Sequence, residues 1–442
     1  MFYQRKIQPF LLSCLLIILT NFKSFAQISY LDKEWEQDYG ITFNSEHSDF
    51  VIDASGNLYY SVIDNNIVKL FSVTPGGGLI WNTIVLNPSV SADIVDLELT
   101  SDQNLLLLTQ EDNGPDISVH VHKFSLTGNL IWDNSTNLPL NTKFLRIQES
   151  NNKVYILGSK NNLTSEQLFI KSYQYSSGQS ASEYTQALSN NDYLKPIDFS
   201  IDYLGNLIVL SNKQTSTSSF SHIQKFSNTL SLINEIDIEN SNGLHIPKAI
   251  RTYMDYCVVV GQKNENGFNG VVHAVELSSM NVLGSFISDL PKSIYKDIEL
   301  INNQIYITGN YIDSLGNQKI VIESVSMNFA SIWRKIIASP INDVDFGGID
   351  IVEGAFNKIY IIAEGIVHEN SSKDWLIYEL DNSGEITGNY RLDRAGDLDI
   401  NQKIIASQLG IWVSGETTEA NSVKSTIIKL QSYQVDTIPN VD

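Results

Sequence analysis

The sequence is poor in cysteine and in basic residues. Two cysteines among 442 residues exclude a scaffold held together by disulfides. The 29 lysines and arginines face 50 aspartates and glutamates, which gives a formal net charge of −21. This excess of negative charge argues against a nucleic-acid partner, because a polyanion would be repelled. The sequence also lacks long segments with the 3.6-residue period of an amphipathic helix, so a helical fold is not expected.

Apolar side chains are plentiful enough for a large core. Hydrophobic residues make up 42% of the chain and aromatic residues 10%, a composition that excludes intrinsic disorder. We therefore expect a large ordered domain. The pattern of residues along the chain indicates its fold class.

The N-terminus has the features of a secretory signal peptide. Arg5 and Lys6 precede an apolar stretch over 10–19, and small residues stand at Ser24 and Ala26. The apolar stretch is shorter than the roughly 20 residues that span a bilayer, so a membrane anchor is the weaker interpretation. Cleavage after Ala26 would change the formal charge from −21 to −24 and leave Cys257 as the single cysteine. We expect an exported protein in the periplasm, on the cell surface or in the medium.

A repeat of about 50 residues runs through the rest of the chain. Its clearest element is a short β-branched strand that begins near Leu58, Leu105, Val154, Leu207, Cys257, Ile305, Ile359 and Ile411, at steps of 47 to 54 residues. Tight turns such as Gly56-Asn57 and Gly205-Asn206 precede two of these strands, and such turns typically close two-residue hairpins. Four short strands per unit predict an all-β fold, an eight-bladed β-propeller of four-stranded antiparallel blades.

The ends of the chain are predicted to close the ring. The last unit has a third strand over 425–430 but no convincing fourth strand after it. Residues 33–39 contain a lone Trp35 that resembles the tryptophan of the fourth strands, so we predict that they form the outer strand of the last blade. The competing count is seven blades with a stray hairpin. The predicted organisation is a signal peptide at 1–26, one propeller domain at 27–433 and a short tail at 434–442.

Residues 123–132 carry a family resemblance. The segment reads Lys-Phe-Ser-Leu-Thr-Gly-Asn-Leu-Ile-Trp and resembles the secreted bacterial β-propeller repeat, and more weakly the quinoprotein-like eight-bladed propellers. The resemblance implies the propeller fold, and in the second family a tryptophan that docks one blade on the next. Quinoprotein dehydrogenases bind their cofactor with adjacent cysteines and a catalytic acid beside calcium. With one cysteine after cleavage, this chain departs from that pattern, so their activity is not carried over.

The search for chemistry finds no catalytic motif, so no catalytic residue is assigned. The sequence has no G-x-S-x-G, H-E-x-x-H, C-x-x-C or G-x-x-x-x-G-K. His120 and His122 lie two apart on a predicted strand and share a face, which can begin a metal site. His222 occupies the position of His120 in another blade, which favours packing instead. Trp81, Trp132, Trp333 and Trp375 recur in phase with the strands and are expected in the core.

Acidic residues recur where the predicted blades connect, on one rim of the central channel. This predicted acidic rim consists of Asp93, Asp96, Asp297, Asp343, Asp345, Asp397 and Asp399. The EF-hand pattern fails at Asp343 and at Asp397, which leaves calcium as a candidate cofactor only at a looser site. A solvated surface that aids solubility is the favoured interpretation of these acids.

Two functions remain open. The preferred hypothesis is an exported, non-catalytic, monomeric propeller without a transmembrane segment that binds a protein or glycan partner through its rim loops. The alternative is a carbohydrate-active lyase or hydrolase with acids at the channel mouth. A funnel that holds a His or Tyr near an Arg or an acid with a strongly perturbed pKa would favour the enzyme.

Overall fold

The computed structural model describes residues 28–42, 48–114, 116–162, 165–186, 193–238, 244–264, 267–338, 346–366, 373–392, 399–419 and 422–435. Within these residues the chain forms 32 β-strands and one short 3-10 helix, Ala355–Asn357. The strands form eight separate sheets of four antiparallel strands each. The predicted signal peptide at 1–26 lies outside the described residues. No helix among those described is long and apolar enough to cross a membrane.

Blades 1 to 4 follow one another along the chain, each with four consecutive strands. Blade 1 contains β2 (Asp49–Ile52), β3 (Leu58–Asp64), β4 (Ile67–Val73) and β5 (Leu79–Leu86). Blade 2 contains β6 (Ser91–Leu99), β7 (Asn104–Asp112), β8 (Asp116–Ser125) and β9 (Leu130–Pro139). Blade 3 contains β10 (Thr142–Ser150), β11 (Lys153–Asn162), β12 (Ser165–Gln174) and β13 (Ser180–Gln186). Blade 4 contains β14 (Tyr193–Ile201), β15 (Leu207–Gln214), β16 (Ser219–Phe226) and β17 (Leu232–Ile238).

Blades 5 to 8 repeat this arrangement, except that the last blade takes its fourth strand from the start of the chain. Blade 5 contains β18 (His245–Tyr253), β19 (Tyr256–Asn264), β20 (Phe268–Glu276) and β21 (Asn281–Ile287). Blade 6 contains β22 (Ser293–Ile301), β23 (Gln304–Ile312), β24 (Gln318–Ser326) and β25 (Ser331–Ala338). Blade 7 contains β26 (Gly347–Glu353), β27 (Ile359–Gly365), β28 (Asp374–Leu380) and β29 (Ile386–Leu392). Blade 8 contains β30 (Asp399–Ser407), β31 (Gly410–Glu419), β32 (Ser422–Val435) and β1 (Ile28–Thr42).

The eight sheets are arranged radially around a channel. The first strands of neighbouring blades contact one another around a closed ring, in which β30 of blade 8 reaches β2 of blade 1. Each first strand is therefore the inner strand of its blade, and each fourth strand lies at the periphery. The predicted all-β, eight-bladed propeller is confirmed, and the seven-blade count is wrong.

The predicted closure by the two chain ends is also confirmed. Strand β1 pairs antiparallel with β32, with Trp35 opposite Lys429 and Gln37 opposite Ile427. The pairing is longer than the predicted 33–39, because it continues as far as Ile28 opposite Val435. This pairing covers the edge of β32, which would otherwise present a row of unpaired backbone groups.

The core consists of apolar layers between adjacent blades. Val258 of blade 5 and Ile307 of blade 6, for example, are fully buried in one cluster. Burial of each such side chain stabilises the fold by about 1.5–3 kcal/mol. Cys257 is fully buried in a similar layer, and burial raises the pKa of its thiol to about 12. This cysteine is therefore an unreactive core residue, as its apolar sequence context predicts.

Close backbone approach explains why several second strands contain a glycine at the same point. A Cβ atom on Gly158 would lie 2.4 Å from the carbonyl oxygen of Lys143, and one on Gly309 would lie 2.0 Å from that of Ile294. Both carbonyls belong to the inner strand of the same blade. The recurring strand–glycine pattern is thus a packing requirement of the inner strand pair.

Tryptophans on fourth strands dock on glycines of the following blade. In each pair the indole of one blade covers a glycine with positive φ in the turn before the fourth strand of the next blade. The pairs are Trp81 with Gly128, Trp132 with Gly178, Trp333 with Gly384 and Trp35 with Gly77. Each indole Nε1 donates a hydrogen bond to a turn carbonyl, at 2.8 to 2.9 Å. The four tryptophans are therefore structural, and Trp35 docks in phase with the others.

The remaining turns reverse this arrangement. Ser182, Asn234 and Gly284 occupy the tryptophan position in blades 3, 4 and 5, where they pair with the same third-strand register. The turn residue of the following blade is then large and keeps a positive φ, namely Leu230, Met280 and Phe329. A Cβ atom on Gly284 would lie 2.3 Å from the Phe329 ring. At Gly284 the large side chain thus comes from the following blade, and Leu230 and Met280 are buried at the equivalent turn positions.

Candidate functional site: the central channel

A β-bulge sets the orientation of side chains in seven of the eight inner strands described. The register shifts directly before Asp96, Arg146, Asp198, Ala249, Asp297, Asp350 and Lys403. A bulge bends its strand and redirects the next side chain. In this protein it brings one residue of each inner strand to the same level of the channel wall, together with Asp49 of the short β2.

Aspartates at this level join each blade to the next. In five places a carboxylate accepts a hydrogen bond from a backbone N–H of the following inner strand, at 2.7 to 3.2 Å. The donor–acceptor pairs are Leu97 to Asp49, Ile147 to Asp96, Ile250 to Asp198, Ile351 to Asp297 and Ile404 to Asp350. The same interaction therefore recurs around the ring and is a structural device of the fold.

Basic side chains close the other junctions. Arg146 donates to Asp198 at 2.5 Å, and Arg251 donates to both Asp198 and Asp297 at 3.2 and 3.1 Å. Lys403 of blade 8 lies 2.7 Å from Asp49 of blade 1. All eight junctions between inner strands thus have a polar bond. We call the set Asp49, Asp96, Arg146, Asp198, Arg251, Asp297, Asp350 and Lys403 the channel ring.

Two aspartates of the channel ring hold their protons unusually strongly. Burial raises the pKa of Asp96 to about 7, and the negative charge of Asp49 adds to the effect. Burial likewise raises the pKa of Asp350 well above its ordinary value, and the neighbouring Asp297 carboxylate raises it further. The channel ring therefore contains carboxyl groups that keep their protons to a higher pH than an exposed aspartate does.

A second layer of polar side chains lies two residues further along the inner strands. Glu98 accepts a hydrogen bond from the Glu149 backbone N–H at 2.7 Å, and burial raises its pKa well above the ordinary value. Ser200 accepts from the Thr252 backbone N–H at 3.3 Å in the equivalent position. A cavity of about 400 Å³ follows this wall along blades 8, 1, 2 and 3. Its polar lining is Asp96, Glu98, Arg146, Gln148 and Lys403.

Charge is distributed unevenly around the channel. The inner strands β10, β14, β18 and β22 form a basic half with six basic and four acidic residues. They are Lys143, Arg146, Lys195, Lys248, Arg251 and Lys296, with Glu149, Asp198, Asp297 and Glu299. The inner strands β26, β30, β2 and β6 form an acidic half with one basic and seven acidic residues. They are Lys403, with Asp350, Glu353, Asp399, Asp49, Asp93, Asp96 and Glu98.

Exposed charges stand at the channel mouth, before the bulges. Asp93, Lys143 and Lys195 occupy equivalent positions on the inner strands of blades 2, 3 and 4, and all three are exposed. Lys248 is exposed at the bulge of β18. Within the part of the chain that the structure describes, these four side chains have no ion-pair partner. They are therefore free to contact a ligand.

The structure separates the predicted acidic rim into three groups. Asp96 and Asp297 belong to the channel ring, and Asp93 is exposed at the mouth. Asp343, Asp345 and Asp397 lie outside the described residues, as does the side chain of Asp399. No group of three or more potential metal ligands occurs among the residues described, so the calcium site stays a prediction.

The histidine pair predicted on one face is stacked. The rings of His120 and His122 lie 5.7 Å apart at an interplanar angle of 2°. His122 is buried, and burial lowers its pKa to about 3. A second buried pair joins His245 to His273 through their Nε2 atoms at 2.9 Å, between two serine hydroxyls. The first pair lies within blade 2, and the second lies between Ser221 of blade 4 and Ser285 of blade 5.

Sequence reasoning missed the lysines of the basic half. Lysine on a strand is ordinarily a solvent-facing residue, so each one is unremarked in isolation. The signal lay in the repeat, because Lys143, Lys195, Lys248 and Lys296 fall at nearly the same phase of four successive units. Alignment of the units on the first strand, and not on the second, would have found them.

Comparison with known proteins shows the fold and nothing finer. No family model matches the sequence, and no curated protein matches it. A europium-containing methanol dehydrogenase superposes with a TM-score of 0.53 at 8% identity, over 87% of this chain and 84% of that one. A prolyl endopeptidase superposes with a TM-score of 0.50 at 9% identity, over 86% of this chain and 55% of that one. The Dos1 propeller gives 0.49 at 10% identity, over 89% and 96%. The chain is a β-propeller whose channel is held by a charged ring.

Proposed function

We propose that this protein is an exported, non-catalytic propeller that binds a partner, a protein or a glycan, at the mouth of its central channel. The proposal includes the assignment of the chain to the secreted bacterial β-propeller repeat proteins. The signal-peptide pattern at 1–26 supports export.

One observation carries the proposal. The charged groups deep in the channel are engaged in bonds between blades, whereas those at the mouth are free. Asp96, for example, accepts the Ile147 N–H at 2.7 Å, in the same way as four other aspartates around the ring. A catalytic acid would be a single residue in one blade, whereas these residues repeat. The free groups at the mouth, such as Lys143 and Asp93, are those that a partner can contact.

The enzyme alternative is favoured by a different observation. Asp96 and Glu98 line the 400 Å³ cavity beside Arg146, and both have raised pKa values, Asp96 to about 7. A protonated carboxyl group in a cavity is the usual general acid of a glycosidase. The alternative is therefore a carbohydrate-active hydrolase or lyase with Asp96 or Glu98 as proton donor.

An assay of binding and turnover on the same polysaccharides separates the two functions. The full chain is incubated with a panel of neutral and acidic polysaccharides. Binding is measured by calorimetry and chain shortening by size-exclusion chromatography. The proposed function predicts binding of at least one member without new short products. Turnover by the wild-type chain that disappears in Asp96→Asn or Glu98→Gln would establish the enzyme, because both variants retain the side-chain shape and remove the acid. Asp133→Asn is the matched control, since it changes an exposed acid on the outer strand of the same blade, away from the channel.

A further inference from the structure

The ligand of the channel mouth must satisfy two kinds of group side by side. Lys143 and Lys195 present ammonium donors from blades 3 and 4, while Asp93 presents a carboxylate acceptor at the equivalent position of blade 2. All three side chains are exposed. An ammonium group has three donors and no acceptor, and an ionised carboxylate accepts only. The complementary ligand therefore carries anionic groups and hydrogen-bond donors close together.

The lysines are the exception in a strongly acidic protein. The chain has a formal charge of −21, yet the basic half of the channel has six basic residues to four acidic ones. A long polyelectrolyte would extend over the acidic surface and be repelled. A ligand of a few units would contact only the mouth, where Lys248 adds a third free ammonium group. The charge pattern therefore favours a short anion.

The composition of the mouth favours a sugar over a protein surface. Lysine is depleted in the cores of protein–protein interfaces, which rely on aromatic residues, methionine and arginine. An acidic peptide would offer carboxylates to the lysines but also to Asp93, where they would be repelled. A sugar acid offers hydroxyl donors in addition to its carboxylate. Tyr193 is 43% exposed on the same side of β14 as Lys195 and can lie against a sugar ring.

We propose that the channel mouth binds a short acidic oligosaccharide, with its carboxylates against Lys143, Lys195 and Lys248 and its hydroxyls donating to Asp93. This inference rests on the proposed function and adds the class of ligand. Galacturonate, glucuronate and guluronate oligomers share this chemistry, and the experiment distinguishes them.

The test measures binding of the trimers of these three uronic acids to the full chain by calorimetry. A neutral galactose trimer and a glutamate tripeptide are measured alongside. We expect at least one uronate trimer to bind, with an affinity that falls about tenfold between low and 0.5 M salt. The triple variant K143Q/K195Q/K248Q should lose about tenfold or more in affinity. The control triple variant K33Q/K69Q/K335Q removes three ion-paired lysines elsewhere and should stay within about twofold of the wild type.

Asp93→Asn distinguishes recognition from simple attraction. If the lysines acted only by charge, removal of the neighbouring carboxylate would strengthen the binding of an anion. If Asp93 accepts sugar hydroxyls, the same change weakens binding, and this is the expected result. Tighter binding of the trimer by Asp93→Asn would overturn the assignment of the hydroxyl contact.

The remaining outcomes separate this inference from the proposed function. Binding of the neutral trimer or of the glutamate tripeptide, with no binding of any uronate, would overturn the acidic-sugar inference and leave the binding function in place. Equal losses in both triple variants would also overturn it, because the effect would then reflect overall charge. Shortening of a uronate trimer by the wild-type chain would overturn the non-catalytic function while supporting the ligand class.

Discussion

Both halves of the channel join neighbouring blades through aspartates, but the charges around these aspartates differ. In the basic half, Asp198 lies between Arg146 and Arg251, so its carboxylate is paired on both sides. In the acidic half, Asp350 lies beside Asp297 at the border between the halves, and the pKa of Asp350 rises well above its ordinary value because of burial and that neighbour. Both aspartates accept a backbone N–H from the next blade. The bond between blades therefore tolerates an ionised or a protonated carboxyl group.

This difference separates the structural role of the ring from its electrostatic effect. The hydrogen bond to the next blade needs an acceptor oxygen, which either protonation state supplies. The field in the channel, by contrast, depends on which carboxylates are ionised. The basic half can thus attract an anion. In the acidic half, carboxyl groups with raised pKa values still accept the hydrogen bonds that join the blades.

The largest expected effect is that of Arg146→Met, which breaks the basic half. The substitution leaves Arg251 as the only arginine paired with Asp198 and removes the ion pair between the inner strands of blades 3 and 4. Loss of one partner of a buried ion pair costs about 3–5 kcal/mol, and the partial exposure of Arg146 reduces this to about 2–4 kcal/mol. Urea denaturation measures the free energy of unfolding. The control Lys335→Met removes an exposed pair with Glu385 and should cost less than about 1 kcal/mol. Equal effects of the two variants would contradict a structural role for Arg146.

The second effect is on the pH dependence of stability, through Asp96 in the acidic half. Its pKa in the folded protein is raised to about 7, so the native state binds the proton more tightly than the unfolded chain. The stabilisation by this proton is complete below the unfolded pKa near 4 and is lost as pH rises through about 7. Relative to Asp96→Asn, the wild type should therefore lose up to about 1.4 kcal/mol per pH unit across that interval.

The comparison with Asp96→Asn is necessary because buried histidines act in the opposite direction. Burial lowers the pKa of His245 to about 4 and that of His273 to about 3. Their contribution is present above the unfolded histidine pKa near 6.5 and is lost as pH falls. Chemical denaturation of both proteins at half-unit pH steps cancels this shared contribution. A difference between wild type and variant that does not change with pH would show that Asp96 titrates normally.

A smaller effect on the free energy of unfolding is expected from Asp350→Asn, in which the substituted carboxyl group has a raised pKa. The amide keeps an acceptor for the Ile404 N–H and removes a carboxyl group whose pKa burial and the neighbouring Asp297 raise well above the ordinary value. Below the unfolded pKa near 4 we expect a change within about 1 kcal/mol, and as pH rises above that value the variant should gain stability relative to the wild type. Asp198→Asn in the basic half removes an ionised partner of two arginines and should cost about 1.5–3 kcal/mol. Thermal denaturation of the two variants in parallel checks the contrast, which fails if the two losses are equal.

The fold could be predicted from the sequence because its signals are local and repeated. The strand and turn pattern is present within each unit. The resemblance of Trp35 to Trp81 and Trp132 predicts that it lies on a fourth strand. The large turn residues Leu230 and Met280 could not be predicted in this way, because no sequence pattern indicates a positive φ at a large residue. The packing role of each turn residue becomes clear only when it is compared with the residue at the tryptophan position of the preceding blade.

The candidate site was only half predictable for a similar physical reason. The sequence predicts Asp96 as an acid near the channel, but its bond to Ile147 joins residues about 50 apart in two blades. A β-bulge decides that its side chain points into the ring, and the bulge is not visible in the sequence. The sequence does not mark lysines such as Lys143 and Lys195, because a single exposed lysine indicates no site until its neighbours around the channel are known.

The smallest effect on stability is expected where the effect on binding is largest. Lys143, Lys195 and Lys248 have no ion-pair partner among the residues described, so K143Q/K195Q/K248Q should change the free energy of unfolding by no more than about 0.5 kcal/mol. A slight stabilisation would agree with this, because the variant removes three of the six basic residues of the basic half. Urea denaturation of the variant beside wild type provides the measurement. A loss above about 2 kcal/mol would mean that the lysines hold the channel together, and the basic half would then be as structural as the acidic half.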